Sequence, residues 1–179
     1  LPLDPAIQPI VAVLRSNKWL AIHVLTIVSS YGALTLATGI AHICAGAALF
    51  GKESALQQLK LGDTLYRVIQ IGIILLASGV MLGAVWANAS WGRYWGWDPK
   101  ETWALITLLW FLALLHARKA LWIGERGLAV GTIIGFFLLL MTYYGVSFYL
   151  IGLHSYAGGH ATPVPPLLIG YLIAEVLFI

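Results

Sequence analysis

The chain has 179 residues, of which 60% are hydrophobic and 9% charged, where a soluble domain carries about 25% charged residues. That deficit excludes a soluble globular domain and points to a membrane protein. A net charge of +3, spread over ten basic residues, gives no support to nucleic-acid binding, and the single Cys44 excludes an internal disulfide, a CxxCH motif and a Cys-based zinc site.

The opening LPLDPAIQP is too polar and Pro-rich for a secretory signal peptide. The chain starts at Leu1 and ends within an apolar run over residues 167–179, so the expectation is a fragment of a longer protein. A bilayer core of about 30 Å takes about 20 apolar residues of helix. The first segment that qualifies runs over residues 20–50, about 46 Å of helix, so it tilts or stands above the surface. Its Gly32, Gly39 and Gly46 recur every seven residues, with Ala33, Ala37 and Ala41 close by, small residues at a spacing that lets helices approach closely in lipid. The second span is expected over 68–89, with Gly79 and Gly83 as packing positions. The third is expected over 99–117, and the fourth over 128–152, with Gly131 and Gly135. A truncated fifth begins after Pro163-Val164-Pro165-Pro166. The fold class is therefore all-α: a polytopic transmembrane helix bundle of four complete spans plus a partial fifth.

The loops set the orientation. Lys52, Lys60, Arg67, Arg118, Lys119 and Arg126 fall on one side, and Arg15, Lys18, Arg93 and Lys100 on the other. The positive-inside rule puts 51–67 and 118–127 inside, and 1–19, 90–98 and 153–166 together on the outer face.

The informative stretch lies between spans two and three: Trp91-Gly92-Arg93-Tyr94-Trp95-Gly96-Trp97-Asp98-Pro99-Lys100-Glu101-Thr102-Trp103. An interfacial aromatic belt explains one or two tryptophans at a helix end, as at Trp19 and Trp122. It does not explain this density. Glycines Gly92 and Gly96 would let a flat ligand approach the backbone, and Trp91, Trp95, Trp97 and Trp103 offer broad apolar faces with polar N–H groups. Asp98 suits an N-cap, Pro99 the first helical position and Glu101 the third, a capping box that makes the two carboxylates structural rather than an acid/base pair.

Topology sorts the five histidines. His23 and His154 fall on the same face as the tryptophans. Each alone reads as an interfacial or packed side chain; together, two neutral imidazoles flanking an aromatic platform either remain so or could supply both axial ligands of a haem iron. His116 is expected near the inner end of span three. There it is either a cation suited to the helix C-terminus or, as an ionisable group in a span, a functional residue. His42 reads as a packed or interhelical hydrogen-bonding residue, and His160 as a solvated loop residue. Arg93 and Lys100 suit either phospholipid headgroups or ligand carboxylates.

The segment WGRYWGWDPKETWALIT, preceded by Gly83-Ala84-Val85-Trp86-Ala87-Asn88 and followed by Leu115-His116-Ala117-Arg118 and Gly152-Leu153-His154-Ser155-Tyr156, resembles the tryptophan-rich WWD segment of the cytochrome c assembly family. The resemblance covers residues 1–157, leaving 158–179 as an outer loop and partial span. Within that family the residues after Asp98 look like those of the CcsA/ResC-type subunit of System II cytochrome c synthase. The resemblance implies that His23 and His154 ligate haem on the outer face and that His116 is an intramembrane ligand on the inner side. It implies haem b as transported substrate, a CcsB/Ccs1-type membrane subunit, apocytochrome c and thiol-reducing thioredoxin-like proteins as partners, and a bacterial inner or thylakoid membrane. The chain would then be one subunit of a holocytochrome c synthase, or haem lyase, complex. The rivals are a System I-like haem exporter without attachment activity, and a structural or solute-transport subunit with an aromatic belt. Gly46-Ala47-Ala48-Leu49-Phe50-Gly51-Lys52-Glu53 nearly spells a phosphate loop, but Glu53 stands where Ser or Thr must bind magnesium. No HExxH or GxSxG motif occurs.

Overall fold

A computed structural model of the chain describes residues 17–52, 60–154 and 163–179. Arg15, Glu53, His160 and the expected 157/158 boundary lie outside the described residues. Those described are helical, with no strand among them. Helix α1 is Asn17–Leu49, α2 is Leu61–Trp91, α3 is Pro99–Lys119, α4 is Glu125–Tyr149 and α5 is Pro166–Phe178. The first four are long and apolar enough to cross a membrane; α5, with 13 residues, is shorter.

Helix α2 starts well before the expected position 68. Leu61, Leu65 and Ile69 repeat every four residues, and Leu65 and Ile69 are fully buried, so the apolar stripe of an amphipathic helix runs on through Asp63, Thr64 and Arg67. The helix ends where Gly92 takes φ 73° and its N–H bonds Asn88 O at 2.9 Å, an αL stop that a side chain would strain.

Helix α1 lies against α2 and α4, and α4 lies against α3. Leu34, Leu65, Ile69, Leu76, Phe111, Leu128 and Ile133 make the buried centre. Pairing of α1 and α2 is antiparallel: a Cβ built on Gly72 would lie 2.6 Å from Leu34 Cδ2, and one on Gly79 would lie 2.7 Å from Ile27 Cδ1. Gly131 and Gly135 likewise leave room for Leu114 and Phe111 of α3. The expectation for the glycines of α1 is corrected: among the described residues, a Cβ on Gly32 or Gly39 would meet nothing within 4 Å, and one on Gly46 would meet only Phe178 of α5, at 4.0 Å. The face of α1 turned to the bundle carries Ile27 and Leu34 with two of the expected small residues, Ala37 and Ala41.

Helix α4 widens into a π-helical turn at Met141–Gly145. Thr142 there meets Thr107 of α3, hydroxyl to hydroxyl at 2.9 Å in a buried position. Antiparallel packing brings the start of α1, the end of α2, the start of α3 and the end of α4 to one end of the bundle, around the Trp-rich segment.

Candidate functional site

His23 lies on α1 one turn before Ile27. Its Nδ1 donates to the carbonyl of Gly79 on α2 at 2.8 Å. Side-chain-free positions on α2 make the approach feasible, since a Cβ on Gly83 would stand 2.7 Å from His23 Cε1. With the hydrogen on Nδ1, the His23 Nε2 keeps a bare lone pair.

His154 follows the end of α4. Its Nδ1 donates to Asp98 Oδ2 at 2.8 Å, while Leu153 N–H donates to Asp98 Oδ1 at 2.6 Å. Its Nε2 is likewise left without a partner among the described residues. Asp98 is buried, and it also caps α3: Lys100 N–H donates to Asp98 Oδ2 at 3.2 Å. Glu101 Oε2 in return accepts from Asp98 N–H at 3.1 Å and Gly96 N–H at 2.8 Å, which is the reciprocal arrangement of a capping box. A Cβ on Gly152 would collide with the Asp98 carboxylate. Burial alone would raise the Asp98 carboxyl. The hydrogen bond from His154, with the N–H donors of Leu153 and Lys100, outweighs that and holds it below the usual carboxylate range.

Both imidazoles border one indole. Trp86 is 1% exposed; its ring centroid lies 6.2 Å from His23, nearly parallel, and 5.9 Å from His154. Trp91 meets Trp86 edge-on at 4.7 Å and His154 at 5.2 Å. The indole N–H groups of Trp86 and Trp91 are buried without partners among the described residues. A cavity of about 210 Å³ opens here, lined by His23, His154, Trp86, Trp95, Tyr31, Tyr143 and Lys100 among others.

The expected platform divides. Trp95 lines the cavity and meets Trp97 edge-on at 5.6 Å, while Trp97 itself is 69% exposed with φ 56°. Trp91 touches the site through His154 and Trp86; Trp103 faces elsewhere on α3 and is not among the lining residues. Local structure accounts for both glycines: Gly92 stops α2, and Gly96 leaves room for the Arg93 guanidinium. Arg93 lies 5.7 Å from the Trp91 ring and 3.5 Å from Glu101 Oε1, bracing the segment from outside the cavity. Lys100 is inside it, with Nζ 3.0 Å from Ser147 Oγ and 5.8 Å from the centroid of Tyr143. Of the two cations, Lys100 is the one the cavity can use.

His116 sits near the opposite end of α3, exposed, with Nδ1 donating to Leu112 O at 2.7 Å. His42 bonds Thr38 O through Nδ1 at 2.8 Å and Glu175 of α5 through Nε2, 2.9 Å from each oxygen, an interhelical hydrogen bond as its position suggested. No cluster of three or more metal-ligating side chains occurs among the described residues.

Sequence reasoning missed Trp86 as a site residue, Tyr31, Tyr143, the hold of Asp98 on His154, and Glu175. Tyr31 lies two turns after His23 on the same face of α1, and a lone carboxylate at 175 in an apolar run is itself a flag, so both were visible. Tyr143 reaches the cavity from the π-turn, which no periodicity announces.

The family model described as Cytochrome C assembly protein matches residues 2–154. Protein NrfI of Wolinella succinogenes is 41% identical over 169 residues, covering 90% of this chain and 18% of that protein. The cytochrome c biogenesis protein CcsA of Synechococcus elongatus is 48% identical over 131 residues, covering 69% and 40%. The protein of that name from Guillardia theta is 41% identical over 172 residues, covering 83% and 56%. The chain thus spans 18 to 56% of the length of these relatives.

Proposed function

The chain belongs to the cytochrome c assembly family, and on that premise we propose that it holds haem b as cargo at the Trp-rich end of its bundle and presents it for attachment to apocytochrome c. The observation that carries this reading is the matched pair of imidazoles on one cavity. His23 and His154 each donate through Nδ1, to a carbonyl and to a carboxylate, so each is left with an Nε2 lone pair. Histidines that bind metals are fixed in this way by an acceptor behind the ring. The unpartnered indole N–H of Trp86 and the Lys100 ammonium suit a cargo with an apolar face and anionic edges; Lys100 is the contact for a propionate.

The positive-inside bias puts the Trp-rich end on the periplasmic or lumenal side of a bacterial inner or thylakoid membrane. His116 then lies towards the inner side. An exposed imidazole near the end of a membrane helix is costly against lipid, which favours a second helix beside it. A CcsB/Ccs1-type subunit supplies that helix, and His116 serves as the inner ligand through which haem enters. At the outer site a client cysteine S–H adds across each vinyl group. Sulfur bonds one vinyl carbon, the proton goes to the other, and no electrons are exchanged. Thioredoxin-like proteins keep those cysteines reduced, and the CxxCH histidine takes the place of one axial imidazole on release. This chain orients the cargo; the bond-making belongs to haem and the client thiols.

The test is co-expression of the full-length protein with its partner subunit and an apocytochrome, scored for a Soret band and for covalent haem. His23→Ala and His154→Ala should each lose the outer-site spectrum and recover it with imidazole, while His116→Ala should lower total haem loading. Unchanged spectra in the double variant His23→Ala/His154→Ala would overturn the assignment. Haem binding without covalent product in the unaltered complex would make the protein an exporter.

A further inference from the structure

Glu175 is a buried carboxylate in the half of the bundle remote from the cavity. It lies on α5, and its two oxygens each stand 2.9 Å from Nε2 of His42 on α1. Phe178 covers the imidazole at 5.4 Å, nearly parallel. On the other side of the ring, Nδ1 lies 2.8 Å from Thr38 O.

The partners fix the number of protons. A carbonyl oxygen only accepts, so Nδ1 carries a hydrogen. A neutral imidazole would then turn a bare Nε2 lone pair towards an ionised carboxylate 2.9 Å away, leaving the Tyr171 hydroxyl as the one donor to a buried charge among the described residues. The contact requires one proton more. It rests on Nε2, giving imidazolium and carboxylate, or on Glu175, whose O–H then donates to Nε2. Both arrangements hold the same number of protons and carry no net charge.

We infer that His42 and Glu175 form an intramembrane proton-binding site, and that the one shared proton fastens α5 to α1. Loss of that proton leaves an uncompensated carboxylate in apolar surroundings, a strongly destabilising state. It is relieved by α5 lifting from α1, so docking and protonation are linked. The groups that face the pair are few. Tyr171, one turn earlier on α5, lies against the carboxylate. At the same end are Cys44 and Lys52 next to α1, Asp63, Tyr66 and Arg67 on α2, and Glu125 and Arg126 on α4; none of these bonds His42 or Glu175.

Gly46 gives the readout, because a Cβ placed there would lie 4.0 Å from the Phe178 ring of α5. In the full-length protein in its membrane, with Cys44→Ala and other cysteines removed, Gly46→Cys should be protected from a membrane-permeant maleimide near pH 7. Its labelling should rise several-fold more between neutral and alkaline medium than in the same protein carrying Glu175→Gln. The amide of Glu175→Gln donates to Nε2 without an ionisable group, so it keeps α5 docked, and the shared thiol cancels the intrinsic pH dependence of the reagent. His42→Leu should be labelled fast at both pH values. Superimposable profiles for the parent and Glu175→Gln would overturn the inference, as would full protection in His42→Leu.

Discussion

Replacing Asp98 by Asn separates the two tasks of that carboxylate. Asn caps helices about as well as Asp, so the start of α3 should survive. The hold on His154 should not. The carboxylate accepts from His154 Nδ1 at 2.8 Å, Leu153 N at 2.6 Å and Lys100 N at 3.2 Å. Whichever way the amide turns, its NH₂ faces one of those donors, and the negative charge behind the imidazole is gone. Hydrogen bonds to a charged group contribute about 1.5–3 kcal/mol. A loss of about 2 kcal/mol corresponds to roughly 30-fold weaker binding, within the roughly 10–100-fold expected for a group that supports a metal ligand. The assay is haem titration of the purified complex by Soret absorbance, with the midpoint potential read in parallel. The potential should rise, because the lost charge favoured the oxidised iron. Asp98→Asn added to His154→Ala should weaken binding no further. Unchanged affinity and potential in Asp98→Asn, or full additivity with His154→Ala, would refute the reasoning and leave Asp98 as a cap alone.

Gly83→Ala puts a methyl group 2.7 Å from His23 Cε1; overpacking of this kind costs about 1–3 kcal/mol, and the outer-site spectrum should fail as in His23→Ala while helix content by circular dichroism holds. The Asp98 carboxyl is depressed in the folded protein, so its stabilisation is fully present above its unfolded value of about 4 and is lost as pH falls through the lower folded value. Thermal unfolding in detergent should show a loss of midpoint below about pH 4 that is reduced in Asp98→Asn. Lys100→Ala should weaken haem retention several-fold with the fold intact. Arg93→Ala should instead loosen the Trp-rich segment, read as faster proteolysis there, with haem affinity changed less than in Lys100→Ala.

The sequence announced whatever depends on local pattern. Four apolar segments and the Asp98–Glu101 box follow from a few neighbouring residues, whereas Gly92, expected to make room for a flat ligand, is the αL stop of α2. Helix α2 was underestimated because Asp63, Thr64 and Arg67 obscure the Leu61–Leu65–Ile69 stripe. Gly32, Gly39 and Gly46 have the spacing of a packing motif, yet which face of α1 meets the bundle is decided by α2, whose Gly72, Gly79 and Gly83 admit Leu34, Ile27 and His23. His23 and His154 were placed on one face by topology alone. The acceptors behind them are separated from their histidines by 56 residues each, beyond the reach of any pattern. Tyr143 enters the cavity through a π-turn that shifts the register of α4.

A cap and a functional group are competing readings of Asp98 only while the chain is one-dimensional. Each oxygen of a carboxylate accepts more than one hydrogen bond, and the cap uses one direction of Oδ2. The remaining lone pairs point back from α3 towards whatever lies behind its first turn, and Gly152 lets the end of α4 come close enough to meet them. Three N–H groups from two distant segments thus converge on one buried charge. The first turn of α3 is therefore also the support of His154. His42 and Glu175 follow the same logic at the other end of the molecule, with one difference. There the buried carboxylate meets no backbone N–H among the described residues, so its charge is balanced by a proton that can leave.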